Sequence, residues 1–202
     1  MVEEAAEFMP ERFSIVGHSM GSWIAQAAAA MYPKRVEKIV VIDGWARNNP
    51  AKEKEMEEVY DQFKKGRHAE VLSQHRPRVF YEKNKDFQKN VSSLQTMHES
   101  FAPEVLTGQW KAMVESNDIS HMLPKIQCPA LVVHGRLDPW FDLQENEFIA
   151  ETIPRAMLAI VEDAAHGTPI EQPQAVTSLI RLFFSYEIFY GAGTIPKLYQ
   201  TS

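Results

Sequence analysis

The chain has 202 residues, of which 45% are hydrophobic and 24% are charged, the balance of an ordinary soluble globular protein. Its formal net charge of −6 argues against binding to nucleic acid or to an anionic membrane surface, because both attract basic proteins. The acidic start MVEEAAEFMPE is unlike a signal peptide, and no apolar run reaches the roughly 18 residues of a membrane span, so we expect a cytoplasmic protein.

In chain order, short apolar runs followed by turns and helical patterns predict a parallel β-sheet of about four strands. Buried strands that alternate with helices are typical of a sheet covered on both faces, so the predicted fold class is α/β. The predicted strands cover residues 12–18, 36–43, 130–135 and 156–162. The helices predicted between and after them cover residues 20–31, 143–152 and 173–186.

Residues 46–122 interrupt this alternation and contain no convincing strand. Met56, Val59, Tyr60 and Phe63 recur at helical spacing, and further helices are predicted near 68–75, 84–101 and 103–116. We interpret this insertion as a helical lid, the alternative being a solvated excursion without a role. The chain is therefore divided into core (1–45), lid (46–122), core (123–189) and tail (190–202).

The strongest local signal is the G-x-S-x-G motif of Gly17–Gly21, which lies between a predicted strand and a predicted helix. Such a turn is strained and lifts its serine above the sheet, and side chains at positions 17 and 21 are expected to clash there. Ser19 is the predicted nucleophile. The helix dipole favours negative charge beside it, so the N–H of Met20 is the predicted oxyanion donor. His18 is expected to face the cleft.

A serine nucleophile needs a general base, and His166 is the predicted one because it directly follows the fourth strand. His134 lies within the third strand and is expected to pack in the core. The remaining histidines lie in the charged insertion, where a solvated side chain is the default expectation: His68, His75, His98 and His121.

The acid that orients this base is predicted to be Asp138, which follows the third strand, with Asp43 at the end of the second strand as the alternative. Asp142 and Asp163 are interpreted as a helix start and a loop residue. The order Ser19, Asp138, His166 along the chain is that of the α/β-type catalytic triad.

The remaining chemistry-bearing residues predict a pocket but no cofactor. Trp45, Trp140 and Phe141 lie next to strand ends and, with His18, are the predicted substrate-pocket residues; the alternative is that they pack the lid on the core. Histidines and acidic residues show no metal-ligand spacing, so neither a metal nor an organic cofactor is expected. The single cysteine, Cys128, fits a reducing compartment and a place beside a strand rather than a nucleophile.

Three segments together resemble the α/β-hydrolase superfamily, of the lid-bearing esterase and lactonase type. GHSMG resembles its nucleophile elbow, PALVVHGRLDPW its acid segment and DAAHGTPIEQP its histidine segment. The resemblance runs from about residue 5 to residue 186 and implies the C-terminal two-thirds of that fold. Ala165 departs from the family, which often has glycine before the histidine.

The resemblance also implies strands ahead of the elbow, and a histidine-glycine loop with a second oxyanion donor, which have no counterpart in these residues. Loss of one such donor costs roughly 3–4 kcal/mol of transition-state stabilisation. Without those strands, residues 13–17 are expected to present an apolar sheet edge. We therefore expect a truncated product, a homodimer, or a second polypeptide that completes the sheet.

The predicted function is that of a serine hydrolase that cleaves a small-molecule carboxylic ester or lactone through an acyl-enzyme. One alternative is an inactive truncated or pseudo-hydrolase that acts as a binding or scaffold protein. Others are a carbon–carbon bond hydrolase or a cofactor-free perhydrolase, because the same triad supports several chemistries.

Overall fold

A computed structural model describes residues 2–185 and 197–199. Within these ranges, five parallel strands form one sheet in the order β1-β2-β3-β4-β5. They are β1 (Phe13–His18), β2 (Val36–Ile42), β3 (Ala130–Gly135), β4 (Ala156–Val161) and β5 (Lys197–Tyr199). The predicted α/β class with a parallel sheet is confirmed. The short β5 lies in the segment predicted as a tail, whose other residues are outside the described ranges.

The helices follow the predicted pattern closely. They are α1 (Val2–Glu7), α2 (Met20–Met31), α3 (Pro50–Lys64), α4 (His68–His75), α5 (Phe87–Glu99), α6 (Pro103–Val114), α7 (Leu143–Thr152), α8 (Thr168–Glu171) and α9 (Pro173–Ser185). Two 3₁₀ helices cover Arg76–Val79 and Ser120–Lys125. None of the helices described is both long and apolar enough to cross a bilayer.

Successive side chains of the central strands alternate between two apolar layers, as the pleat of a β-strand requires. In β3, Val132 packs with α2 and α7 on one face, whereas Leu131 and Val133 pack with α9 on the other. Alanine-rich α2 lies close to the sheet because Ala25 and Ala27–Ala30 are all buried. Helices therefore cover both faces of the sheet. The candidate catalytic side chains lie at the ends of its strands.

Residues 46–122 carry α3–α6 and have a small apolar core of their own. Val59 and Phe63 of α3 pack with Val71, Leu72 and Leu106 from the following helices. Of the residues predicted to share one face of α3, Met56 and Tyr60 are half-buried and the other two are buried. Helices α3, α4 and α6 thus share an apolar cluster, and residues 46–122 contact the rest of the chain through specific bonds described below.

Within the described residues β1 pairs with β2 alone, so the other edge of β1 has no strand partner there. Val16 on this strand is 49% exposed, which is high for a β-branched residue in the middle of a strand. This edge offers unpaired main-chain groups and apolar surface to another strand.

Candidate active site

The candidate catalytic residues meet at the carboxyl edge of the sheet. Ser19 follows β1, Asp138 follows β3 and His166 follows β4. Parallel strands end at the same edge, which is where open α/β sheets bind ligands. Gly135 lets the last two loops approach, because a Cβ atom there would lie 2.2 Å from the backbone oxygen of Ala165. Tight packing between strand ends therefore brings the acid and histidine loops together.

Ser19 lies on the strained turn expected of a nucleophile elbow. Its φ and ψ are 53° and −120°, a conformation that costs a non-glycine residue about 1–3 kcal/mol. Its backbone N–H donates to the carbonyl of Ile42 at 3.0 Å, which fixes the turn to β2. The predicted clash is present at Gly17, where a Cβ atom would lie 2.1 Å from the Gly21 oxygen. At Gly21 the prediction is wrong, because no described atom lies within 4 Å of an added Cβ.

Ser19, His166 and Asp138 form a continuous hydrogen-bonded chain. His166 Nε2 lies 2.9 Å from Ser19 Oγ, and His166 Nδ1 lies 2.8 Å from Asp138 Oδ2. The carboxylate can only accept, so the bonding requires Nδ1–H to donate to Asp138 and leaves Nε2 free to accept from the serine hydroxyl. The Asp138 side chain is fully buried and the histidine nearly so. This arrangement can remove a proton from Ser19.

The contacts distinguish the two candidate acids. Asp138 uses its second oxygen, Oδ1, to accept from the N–H groups of Trp140 at 2.8 Å and Phe141 at 3.2 Å. Asp43 is also fully buried, but its Oδ1 accepts from the Gly135 N–H at 2.8 Å and its Oδ2 has no hydrogen-bond partner within the described residues. Only Asp138 is therefore placed to orient the base. Asp142 caps α7, accepting from the Glu145 N–H at 2.8 Å.

His18 contacts the histidine loop and does not line the cavity described below. Its Nε2–H donates to the backbone oxygen of His166 at 2.7 Å and lies 3.6 Å from Asp43 Oδ2. Burial lowers the pKa of His18, but the Asp43 carboxylate and the His166 oxygen outweigh burial, so the net pKa is raised. His134 is buried as expected; burial holds its pKa below the ordinary value despite the charge of Asp43.

The predicted oxyanion donor, Met20, begins α2 directly after Ser19. The first N–H groups of a helix have no partner inside it and point toward the residue that precedes the helix. Ser22 N–H donates back to the Ser19 oxygen at 2.8 Å, and Ser22 Oγ donates to the same oxygen at 2.5 Å. These bonds hold the first turn of α2 against the elbow, with the Met20 N–H beside the serine.

A cavity of about 600 Å³ lies next to this centre, between the insertion and the acid loop. Three of the predicted pocket residues, Trp45, Trp140 and Phe141, line it. Trp45 stacks on Phe141 with ring centroids 4.8 Å apart, and Phe141 lies 5.7 Å from the His166 ring. Ser19 and His166 do not line the cavity. Asp138 lines the cavity beside Trp140 and Phe141, so the cavity adjoins the catalytic groups at the acid loop.

Sequence reasoning missed two buried carboxylates that hold this region together. Glu145 accepts from the N–H groups of Ala46 and Arg47 at 2.8 and 3.0 Å and so anchors the loop that carries Trp45. Glu171 accepts from the N–H groups of Ala165 and Tyr81 at 2.7 and 2.6 Å. The one acidic residue in the segment TPIEQP was the available signal for Glu171, but its partner in the insertion was not predictable.

The expectation of solvated histidines in the insertion is wrong for three of the four, because His98 is half-buried as well as His68 and His75, whereas His121 is exposed. His68 is half-buried, with its Nε2 2.8 Å from Thr107 Oγ1. His75 is half-buried and lies nearly parallel to the Trp140 ring, with centroids 6.5 Å apart. Burial and the charge of Arg78 lower the pKa of His75. The insertion therefore contacts the aromatic wall of the candidate site.

Two groups of side chains bring possible metal-ligating atoms within 4.8 Å of one another: His18, Asp43 and His166, and Asp43, His134 and Asp138. Both nitrogens of His166 and both oxygens of Asp138 already take part in the hydrogen bonds described above. A metal at either group would therefore compete with the bonds that align the serine and its base.

Cys128 is a poor candidate for a second nucleophile. It is buried in the apolar core, 7% exposed, at the entry to β3. Burial raises the pKa of its thiol to about 11, so the reactive thiolate is scarce at neutral pH.

The comparisons with known proteins agree with this fold. The chain is 28% identical over 186 residues to RutD of Caulobacter sp. (strain K31), a protein named as a carbamate hydrolase, covering 88% of this chain and 67% of that protein. A thermophilic esterase from Thermogutta terrifontis superposes with a TM-score of 0.79 at 28% identity, covering 87% of this chain and 65% of that one. An enol-lactonase from Burkholderia xenovorans LB400 shares the fold, with a TM-score of 0.77 at 21% identity over 87% of this chain and 66% of that one.

The chain thus spans about two thirds of the length of these proteins. A family model described as the alpha/beta hydrolase fold matches residues 7–173, which include the elbow, the acid loop and the histidine loop. The parallel sheet, the strained serine turn and the family match lead to one conclusion: this chain belongs to the α/β-hydrolase fold family.

Proposed function

We propose that this chain is a serine hydrolase that cleaves a small carboxylic ester or lactone through an acyl-enzyme on Ser19. The observation that carries the proposal is the hydrogen-bonded chain from Asp138 through His166 to Ser19, with distances of 2.8 and 2.9 Å. A serine hydroxyl becomes a strong nucleophile only when a base, itself oriented by an acid, takes its proton.

In the acylation step, Ser19 Oγ attacks the substrate carbonyl carbon while its proton passes to His166 Nε2. The carbonyl oxygen takes up the negative charge, and the N–H of Met20 at the start of α2 stabilises it. The intermediate then collapses: the carbon–oxygen bond to the leaving group breaks, and the His166 imidazolium returns its proton to the leaving alkoxide. Asp138 holds the imidazole tautomer and stabilises the imidazolium.

In the deacylation step, His166 takes a proton from water, and the resulting hydroxide attacks the acyl carbon bound to Ser19. Collapse releases a carboxylic acid and returns the proton to Ser19 Oγ. For a lactone the leaving alcohol stays attached to the acyl part, so one hydroxy acid is released. No step requires a redox change, a metal or an organic cofactor.

The adjacent cavity supports a small substrate. Its volume of about 600 Å³ is within the 300–1,000 Å³ of typical small-molecule sites. Trp45, Trp140 and Phe141 offer apolar surface, and the insertion contributes Met56 and Met113 to the lining. We propose that residues 46–122 act as a lid over this cavity and that the aromatic rings contact the substrate.

The named relatives support an acyl-transfer reaction of this kind. An esterase, an enol-lactonase and a carbamate hydrolase all act on a carbonyl carbon that carries an oxygen leaving group or a nitrogen substituent.

The buried Cys128 supports a cytoplasmic location, where thiols stay reduced.

We also propose that the outer edge of β1 is completed by another strand, from a second copy of this chain or from a separate polypeptide. Its unpaired main-chain groups and the exposed Val16 support the proposal. Sedimentation analysis is expected to give a species larger than one chain, and a stable monomer with cooperative unfolding would contradict the proposal.

The test of the catalytic proposal is labelling with a fluorophosphonate, which reacts with activated serines and is read by intact mass. We expect one adduct per chain, mapped to Ser19, and its loss in Ser19→Ala. Ser14→Ala is the matched control, because Ser14 is exposed on the same strand and should leave labelling unchanged. A folded wild-type protein that takes up no label, or labels elsewhere, would contradict the proposal.

A further inference from the structure

Glu171 joins the histidine loop to the helical insertion through its two carboxylate oxygens. Oε2 accepts the N–H of Ala165, the residue before His166, at 2.7 Å. Oε1 accepts the N–H of Tyr81, in the segment that follows the 3₁₀ helix Arg76–Val79, at 2.6 Å. The residue is 7% exposed, so water does not replace these bonds readily. A single buried side chain thus links two segments that are distant in sequence.

A second connection runs between the same two segments on the other side of His166. The N–H of Gly167 donates to the backbone oxygen of Val79 at 2.8 Å. Phe80 is buried over this bond, and a Cβ atom on Gly167 would lie only 2.4 Å from Phe80 Cε1. The main chain before and after His166 is therefore attached to one three-residue segment, 79–81.

The other hydrogen bonds to the main chain around His166 come from the core and not from the insertion. Thr168 Oγ1 donates to the Ala165 oxygen at 2.8 Å, and His18 donates to the His166 oxygen at 2.7 Å. These bonds constrain carbonyl oxygens, whereas Glu171 and Val79 constrain the N–H groups on both flanks. Segment 79–81 thus supplies the acceptor for the Gly167 N–H and the second donor to Glu171, neither of which comes from the core.

The charge of Glu171 makes the two connections depend on each other. A buried carboxylate is stable only while hydrogen bonds replace its lost hydration. Burial and the charges of Asp43 and Asp138 raise the pKa of Glu171, although its two N–H partners lower it. If segment 79–81 left, Oε1 would lose its partner in a buried site, and the carboxylate would be driven to turn toward solvent. That movement would also release the N–H of Ala165.

We infer that Glu171 is a positioning residue that makes the placement of His166 depend on docking of segment 79–81. When segment 79–81 of the insertion is docked on the histidine loop, His166 is held within reach of Ser19. When the segment is displaced, His166 moves away from Ser19. The inference rests on the proposed function for its catalytic consequence, but the coupling between the two segments stands on the contacts alone.

The test variant is Glu171→Gln, which keeps the size of the side chain. Its amide nitrogen carries only donors, so it cannot accept from both N–H groups as the carboxylate does. Glu162→Gln is the matched control, because Glu162 pairs with Arg136 at the surface just before the same loop. Gly167→Ala is an independent second variant, since its methyl group displaces Phe80 without touching the carboxylate.

Hydrogen exchange resolved to single amides is the first readout, and turnover of a p-nitrophenyl ester the second. In Glu171→Gln we expect exchange at both Tyr81 and Ala165 to rise about ten-fold or more, without global unfolding. We expect kcat to fall about 10²-fold because the base is misplaced, with KM changed less than about three-fold. Gly167→Ala should accelerate exchange in segment 79–81 and at Ala165 together, and Glu162→Gln should match the wild type.

Faster exchange at Tyr81 alone, with Ala165 and kcat unchanged, would overturn the inference. Equal falls in kcat for Glu171→Gln and Glu162→Gln would overturn it as well. If Glu171→Gln does not fold, the same two criteria apply to Gly167→Ala. If the wild type shows no turnover, the proposed function fails, and exchange alone decides the coupling: joint loss of protection supports it and loss in one segment overturns it.

Discussion

Trp140 stands edge-on to the imidazole of His166, with ring centroids 4.8 Å apart and ring planes inclined by 88°. The same indole faces the insertion, where the Arg78 guanidinium lies 5.5 Å from its centroid and the nearly parallel His75 ring lies 6.5 Å from it. The backbone N–H of Trp140 also donates to the Asp138 carboxylate. One residue of the acid loop therefore contacts the acid, the base and the insertion.

Trp140→Ala is expected to lower kcat about ten-fold, because the His166 ring loses packing that holds it toward Ser19. Trp140→Phe keeps an aromatic edge at that position and should retain most of the activity. Steady-state kinetics on a p-nitrophenyl ester measure both. A rise in KM with kcat unchanged would instead mean that the indole serves substrate binding only.

Asp138→Asn is expected to lower kcat by about 10⁴-fold, because the amide favours the wrong imidazole tautomer. Asp43→Asn is the matched variant, as both carboxylates are fully buried at neighbouring strand ends. It should lower kcat less than about ten-fold, since Asp43 makes no hydrogen bond to His166. Turnover of a p-nitrophenyl ester measures kcat for both variants, and the reverse order of effects would reassign the acid to Asp43.

His18 is expected to make the free energy of unfolding depend on pH. Partial burial lowers the pKa of His18, but the Asp43 carboxylate, the His166 oxygen and the charge of Asp138 raise it above 6.5 overall. The folded state then binds the proton more tightly than the unfolded state. The resulting stabilisation is complete below the unfolded pKa and is lost as pH rises through the folded pKa.

Urea unfolding at about pH 6 and about pH 8 measures this dependence. Relative to His18→Gln, the free energy of unfolding of the wild type should fall by less than about 1 kcal/mol as the pH rises between the two conditions. The effect is small because the His18 side chain is 37% exposed and solvent screens its charge. A wild type that gains stability relative to the variant over this interval would contradict the assigned direction of the pKa.

Gly17→Ala is expected to destabilise the fold by about 3 kcal/mol, because the new methyl group would overlap the backbone of Gly21. Gly21→Ala is the matched control: the position is open and helical, so alanine should be neutral or stabilise by less than about 1 kcal/mol. Chemical denaturation of both proteins measures the difference. Equal destabilisation would mean that the strand and helix of the elbow are packed differently.

Much of the fold was predictable because its signals are local. The bounds of β3 and α2 match the sequence prediction residue for residue. An apolar run and an alanine-rich stretch can be recognised from neighbouring residues alone, without knowledge of distant contacts. The elbow was equally local, because Gly17 and Ser19 lie two positions apart on one turn. The placement of Asp138 and His166 at neighbouring strand ends followed from the parallel sheet.

The sequence by itself determined the α/β class and the strand ends that carry the candidate triad, and it predicted helices between β2 and β3. Only the tertiary structure decided that Asp138 rather than Asp43 meets His166, that Gly21 has open space, and that Glu171 ties Tyr81 to the histidine loop. Hydrophobic periodicity and short motifs report on a residue's neighbours along the chain. A hydrogen bond between distant segments depends on where each backbone lies after packing, to within a fraction of an ångström, and no local pattern encodes that distance.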